Sequence, residues 1–181
     1  LMDWSLIFAV PAAFLVAAAV GILIERSVIR WLYGRPLETL LATFGISLIL
    51  QQAARFYSSS NVPIVTPSWM AGSFQIGQIN VTYARFWIFV FALVVFAALI
   101  VLMRRTAFGL QMRAVTQNRR MASAMGIRTP WVDALTFGLG SGIAGLAGVA
   151  LTQIENISPN LGTNYIIDSF MVVVFGGVGN L

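Results

Sequence analysis

Long uncharged apolar runs constrain this chain more than any other feature. Residues 4–24 contain no charged side chain, and residues 86–103 form a second uncharged run that is rich in aromatic residues. About 20 apolar residues in a helix, at about 1.5 Å per residue, span the roughly 30 Å hydrocarbon core of a membrane. Only 9% of the residues are charged, against about 25% in soluble domains. The sequence therefore predicts an all-α integral membrane protein, a polytopic bundle of transmembrane helices.

Two less uniform segments, residues 37–54 and 131–151, also have the length of a membrane span. Residues 165–175 are apolar apart from Asp168 but too short to cross alone, which predicts a broken or re-entrant helix, or the first part of a longer one. We therefore expect about five membrane segments in a single domain over residues 1–181. Neither end has the pattern of a natural terminus, so we expect a piece of a longer protein.

A strongly basic segment, residues 104–128, separates the third and fourth predicted spans. It carries six of the eleven cationic residues and no acidic residue. Nine of the eleven arginines fall on the same side of the predicted membrane as this segment, and only Arg55 and Arg85 fall on the other. Because arginine-rich loops stay in the cytoplasm, this bias predicts four full crossings with residues 104–128 on the cytoplasmic side. The segment is also longer than a simple helix connection needs.

Within the basic segment the sequence predicts one short helix. Asn118 is a favourable N-cap, residues 119–125 contain good helix formers, and Gly126 is a natural stop. Met121 and Met125 share one face of this helix, which arginines flank. The pattern suits insertion into a groove on a partner protein, and equally a helix that lies on the anionic inner leaflet. The predicted docking residues are Arg119, Arg120, Met121, Ala122, Ser123, Ala124, Met125 and Gly126.

Hydroxyl and amide side chains recur every four residues along residues 37–54, which places them on one helix face. Such a stripe faces other helices or a water-filled path, not lipid. Hydrogen bonding between helices is the commoner role, and a path for a polar solute is the alternative. We interpret Asp168 first as a residue that caps a helix or interacts with its dipole, and second as part of the path of the solute. The candidate path residues are Thr43, Ser47, Gln51 and Asp168.

Small residues spaced by four run through residues 131–151, where they allow another helix to approach closely. Tight packing explains every such pair more simply than a hinge does. The predicted packing residues are Gly138, Gly142, Gly145 and Gly148.

Several function classes do not fit the composition. The sequence contains no His and no Cys, which removes zinc sites, disulfides and His-based nucleophilic catalysis. It contains no Lys, so a Walker-type ATP site is excluded. The predicted spans contain no pair of carboxylates, which argues against an intramembrane enzyme. We expect a non-enzymatic protein without cofactor or metal, and no nucleic-acid partner, because the membrane accounts for the positions of the arginines.

Three long stretches carry a family resemblance: RPLETLLATFGISLILQQ at residues 35–52, RAVTQNRRMASAMGI at residues 113–127 and SPNLGTNYIIDSFMVVVFGGVGN at residues 158–180. Together they resemble permease subunits of ATP-binding-cassette importers in the branched-chain amino acid and urea uptake family. The last stretch looks most like the urea branch. The broader Glu-Ala-Ala and Gly motif of such importers is met in part, by Ala122 and Gly126; Arg120 and Met121 occupy the other two positions.

The resemblance implies a function and a set of partners. Residues 119–126 would be the coupling helix that docks on cytoplasmic ATPase subunits. A second homologous permease and a periplasmic solute-binding protein would complete the importer in the bacterial inner membrane. The chain would cross this membrane several times, and the importer would open alternately to its two sides. Urea is the favoured solute because the spans lack an interior arginine. A branched-chain amino acid is the alternative, and a passive channel, which needs no coupling helix, is a further one.

Overall fold

The computed structural model describes residues 2–32, 34–57 and 72–177. Within these ranges the chain forms α-helices, one short 3-10 helix and one β-hairpin. The α-helices are α1 (Met2–Ser27), α2 (Pro36–Tyr57), α3 (Tyr83–Arg105), α4 (Ala107–Gln117), α5 (Arg119–Ala124), α6 (Thr129–Leu151) and α7 (Leu161–Phe175); the 3-10 helix is Ile29–Trp31, and the strands are β1 (Ser73–Ile76) and β2 (Ile79–Thr82).

Four of the helices, α1, α2, α3 and α6, are long and apolar enough to cross a membrane. Each contains one predicted span and extends beyond it by at most three residues at either end. The predicted short segment is part of α7, which has 15 residues and begins earlier than expected, at Leu161. The predicted all-α polytopic bundle is therefore confirmed. The β1–β2 hairpin is a small addition, closed by Gly77 with a φ of +67°.

The most extensive helix–helix contact joins α1 and α6, and glycines make it close. A Cβ atom on Gly145 would lie 2.6 Å from the Cβ of Ala17 and 2.8 Å from the carbonyl oxygen of Ala13. The same atom on Gly138 or Gly142 would lie 2.6 Å from an α1 side chain, Ile22 or Phe14 respectively. At Gly148, by contrast, it would meet nothing within 4 Å. Three of the four predicted packing glycines therefore lie against α1.

The segment between α3 and α6 differs most from the sequence expectation. The sequence predicts one helix there, and the structure has two, α4 and α5. Thr106 begins α4, because its hydroxyl accepts a hydrogen bond from the backbone N–H of Gly109 at 3.3 Å. Gly109 packs directly against the backbone of Met103, so the chain can turn sharply between α3 and α4. Phe108 and Met112, one helical turn apart on α4, line cavities against α6.

Candidate functional site

The short helix α5 has clear stop and start signals. At its start, the side-chain oxygen of Asn118 accepts a hydrogen bond from the backbone N–H of Met121 at 3.1 Å. At its end, Gly126 has a φ of +88°, and its N–H donates to the carbonyl of Ser123 at 3.2 Å. The next N–H, of Ile127, donates to the carbonyl of Ala122 at 3.1 Å. This pair of bonds is the Schellman arrangement that ends many helices at a glycine, so the predicted cap and stop are confirmed.

One face of α5 is anchored to the bundle and the other is open. Ala122 is 4% exposed, and the Arg119 guanidinium forms an ion pair with the Asp133 carboxylate of α6. On the opposite side, Met121 is 60% exposed and Met125 is 77% exposed. A flexible, polarizable methionine surface adapts well to a partner's groove. The helix α5 is therefore fixed to α6 on one side, and Met121 and Met125 remain exposed.

The start of α6 in turn meets the end of α1. The Arg26 guanidinium lies over the Trp131 ring, 4.5 Å from its centroid. Cation–π contacts of this kind contribute about 0.5–1 kcal/mol at exposed sites. Glu25, the preceding residue of α1, is buried at 2% exposure. The start of α6 therefore contacts both α5, through Asp133, and the end of α1, through Trp131.

A groove between α2, α6 and α7 is the second part of the site. Its volume is about 690 Å³, within the range of small-molecule pockets. Three of the four candidate path residues line it from α2, and hydroxyl groups of α6 and α7 face them. These polar lining residues are Thr43, Ser47, Gln51, Ser141, Thr163, Tyr165 and Ser169. The fourth candidate, Asp168, is exposed and does not line this groove.

Side-chain hydrogen bonds close one end of the groove. The Gln51 amide donates to the Thr163 hydroxyl at 3.0 Å and to the Ser47 hydroxyl at 3.3 Å. One turn further along α2, the Arg55 guanidinium donates to the side-chain oxygen of Asn160 at 2.9 Å. These bonds join α2 to the start of α7, at the end of the bundle that lies away from α5. All three bonds are exposed.

The rest of the groove wall is apolar, and no charged side chain of the described residues lines it. It includes the side chains of Ile46, Leu50, Phe137, Leu151 and Ile166. The start of α7 also borders it, through Leu161 and Gly162. Within residues 2–32, 34–57 and 72–177, no group of three His, Cys, Asp or Glu side chains could hold a metal ion. The groove can therefore take a small solute with an apolar part and hydrogen-bonding groups.

Sequence reasoning missed several of these residues. The spacing of 14 between Arg119 and Asp133 gave no reason to pair them. Ser141 was not among the candidate path residues, and Thr163 lay outside every predicted helix. Thr163 meets Gln51 only in the three-dimensional structure, where a side-chain hydrogen bond joins α7 to α2. The i,i+4 rule that found Thr43, Ser47 and Gln51 works within a helix and gives no information across helices.

Comparison of the sequence with known proteins identifies the family of this chain. The family model described as branched-chain amino acid transport system / permease component matches residues 1–181. The high-affinity branched-chain amino acid transport system permease protein BraD of Pseudomonas aeruginosa is 31% identical over 180 residues, covering 96% of this chain and 58% of its own length. The corresponding LivH protein of Salmonella typhimurium is 31% identical over 187 residues, covering 99% of the chain and 60% of LivH.

A more distant relative is the probable branched-chain amino acid transport permease protein LivH of Methanocaldococcus jannaschii. It is 29% identical over 177 residues, covering 94% of the chain and 56% of that protein. No solved structure gives a significant match. The chain thus spans roughly 56–60% of the length of these three relatives. The match over all of its residues shows that the chain belongs to the branched-chain amino acid transport system permease family.

Proposed function

We propose that the chain forms part of the membrane-spanning permease of an ATP-driven importer, and that its solute is a branched-chain amino acid. The observation that carries the proposal is the family match over residues 1–181, together with the groove between α2, α6 and α7. Separate cytoplasmic ATPase subunits would supply the energy, and a second permease and a periplasmic solute-binding protein would complete the assembly in the inner membrane.

The groove has the chemistry that a branched-chain amino acid needs. Side chains such as Ile46, Phe137 and Ile166 offer an apolar wall to the branched aliphatic group. The hydroxyls of Ser47 and Thr163 can bond the polar end. The start of α7 borders the groove, and the positive end of a helix dipole favours a carboxylate. The amino acid, which is a zwitterion, could therefore bind in the groove without a buried arginine.

Urea is the second candidate, because no charged side chain lines the groove and urea is neutral. Hydroxyl and amide groups such as Thr43 and Gln51 could bond it. The names of the relatives favour the amino acid: BraD and both LivH proteins are named for branched-chain amino acid transport, and none of these names mentions urea. The wide apolar wall is also of no use to urea. We therefore place the amino acid first, in contrast to the order that the sequence alone suggested.

The proposed link to the ATPase subunits is the open face of α5, formed by Met121, Ala124 and Met125. The exposed Arg120 beside it would meet acidic groups of the partner, while Arg119 stays paired with Asp133. Closure of the ATPase pair would push α5, whose buried Ala122 and ion pair with Asp133 pass the motion to α6. Since α6 forms one wall of the groove, the groove would switch between its two openings by rigid-body motion.

The test is uptake of radiolabelled leucine and urea by cells that carry the complete importer and lack their own. We expect leucine uptake, which Met121→Asp abolishes although the protein still inserts, because a carboxylate on the docking face cannot enter an apolar groove. Met121→Leu, which keeps the size and polarity class, should retain at least half of the uptake. Urea uptake without leucine uptake would overturn the choice of solute. Leucine uptake unaffected by Met121→Asp would overturn the role of α5.

A further inference from the structure

A second cavity lies at the α5 end of the α1–α6 pair, and the proposed import path does not use it. Its volume is about 410 Å³, and the end of α1, the 3-10 helix and the junction of α5 and α6 line it. Three arginines, Arg26, Arg30 and Arg128, line this cavity, and Glu25 is the acidic residue that lines it among the described residues. The lining therefore carries an excess of positive charge.

These arginines are available to an anion. The ion pairs among the described residues join Arg35 to Glu38 and Arg119 to Asp133, and neither includes an arginine of this cavity. Two of the cavity arginines contact aromatic rings instead, Arg26 at 4.5 Å from Trp131 and Arg30 at 5.4 Å from Trp31. Glu25 is buried and has its own interaction. Guanidinium groups are well suited to bind phosphate, because their N–H donors match its oxygen atoms.

The start of α6 adds to the attraction. Arg128 is the N-cap of α6 and makes no side-chain capping hydrogen bond. The hydroxyl-bearing residues Ser123 and Thr129 also line the cavity. The N-terminus of a long helix favours an anion, because the helix dipole is positive there. Three arginines, two hydroxyl residues and a helix start thus line one cavity.

The position of the cavity identifies the source of the anion. α1 and α6 are candidate membrane spans, and the cavity lies where both reach the surface. Trp31 and Trp131 flank it, with 74% and 51% exposure, and tryptophans collect at the headgroup level of a bilayer. We infer that this cavity binds the phosphate of an anionic phospholipid of the cytoplasmic leaflet. The inference uses the proposed orientation of the bundle but does not require that the protein transports any solute.

The test uses the complete permease, stripped of lipid in detergent and titrated with phosphatidylglycerol, phosphatidylcholine or inorganic phosphate, with bound lipid counted by native mass spectrometry. We expect phosphatidylglycerol to bind in preference to phosphatidylcholine. The double variant Arg30→Gln, Arg128→Gln should weaken phosphatidylglycerol binding roughly tenfold, because each surface arginine attracts an anionic lipid. The matched variant Arg55→Gln, Arg85→Gln removes the same charge at the other end and should stay within about twofold of the unmodified protein.

Three other results of this experiment would contradict the inference. Phosphatidylglycerol binding that is unchanged in the Arg30 and Arg128 variant overturns the inference. Competition by millimolar inorganic phosphate would show a site for a soluble anion and overturn the lipid assignment. Loss of ATPase-subunit binding with unchanged lipid binding would assign the arginines to protein docking. If the double variant does not fold, Arg30→Gln alone decides, since Arg30 is exposed.

Discussion

At the scale of single residues, the structure predicts opposite effects on stability for alanine at two glycines of α6 that are about one turn apart. Gly145→Ala places a methyl group against Ala17 and the Ala13 backbone, at 2.6 and 2.8 Å. Because backbone cannot move aside cheaply, we expect α1 to be displaced and the protein to lose about 1–3 kcal/mol of stability. Gly148→Ala meets nothing within 4 Å and should keep or raise stability, since alanine favours a helix by about 1 kcal/mol. Thermal unfolding in detergent measures both.

This pair is a strict test, because the same methyl group is added to the same helix in each variant. Lower melting temperatures for both variants would mean that α6 responds to any added volume, and that its contact with α1 is not the reason. Equal tolerance of both would mean that α1 does not lie as close to Gly145 as 2.6 Å. Only a loss confined to Gly145→Ala agrees with the structure.

At the scale of elements, α5 is too short to persist by itself, because isolated helices of this length are unstable in water. Its ends hold it: the Asn118 cap at the start and the left-handed Gly126 at the stop. Gly126→Ala forces a residue with a Cβ atom to a φ of +88°, which costs about 1–2 kcal/mol. We expect the amides of α5 to exchange with deuterium about fivefold faster or more. Hydrogen-exchange mass spectrometry measures this.

The control is Gly140→Ala, in the middle of α6, where the backbone is helical and nothing lies within 4 Å of the added methyl group. This variant should leave the exchange of α5 unchanged. If Gly126→Ala does not accelerate exchange either, contacts with α6 hold α5, and the end at Gly126 is incidental. The ion pair of Arg119 with Asp133 would then be the next position to change.

The sequence predicted elements where one physical effect dominates. Span length and the absence of charge located α1, α2, α3 and α6, because nothing else explains such long apolar runs. The helix α4 was missed because its arginine-containing sequence was interpreted as part of a basic loop. Its signals were nonetheless present: Thr106 as the cap, and the apolar residues Phe108, Met112 and Val115 at i, i+4 and i+7.

The candidate site was predictable only in the parts that belong to one helix. The stripe of Thr43, Ser47 and Gln51 followed from spacing within α2. Its partners on α6 and α7 depend on how helices far apart in sequence pack, as the bond from Gln51 to Thr163 illustrates. Such pairing is set by three-dimensional contacts between small residues and by the turns between helices, neither of which has a period along the chain.

At the scale of the whole molecule, the proposals about α5 and about the lipid cavity share one orientation, with α5 in the cytoplasm. The 181 residues contain no cysteine, so single cysteines can report it. Ala124→Cys and Gln78→Cys lie at opposite ends of the bundle, on α5 and at the turn of the β-hairpin, and both positions are exposed. In intact cells a membrane-impermeant maleimide should label position 78 and not position 124, because the arginine-rich end remains inside.

Permeabilised cells supply the control, since position 124 should react as soon as the membrane is opened. The reverse pattern, with position 124 labelled in intact cells, would place α5 outside. ATPase subunits could then not reach Met121, and the arginine cavity would face the leaflet opposite to the one proposed. Labelling of both positions in intact cells would instead indicate mixed orientations, which nine arginines against two should prevent. The distribution of arginines along the chain thus predicts that α5 and the arginine cavity both face the cytoplasm.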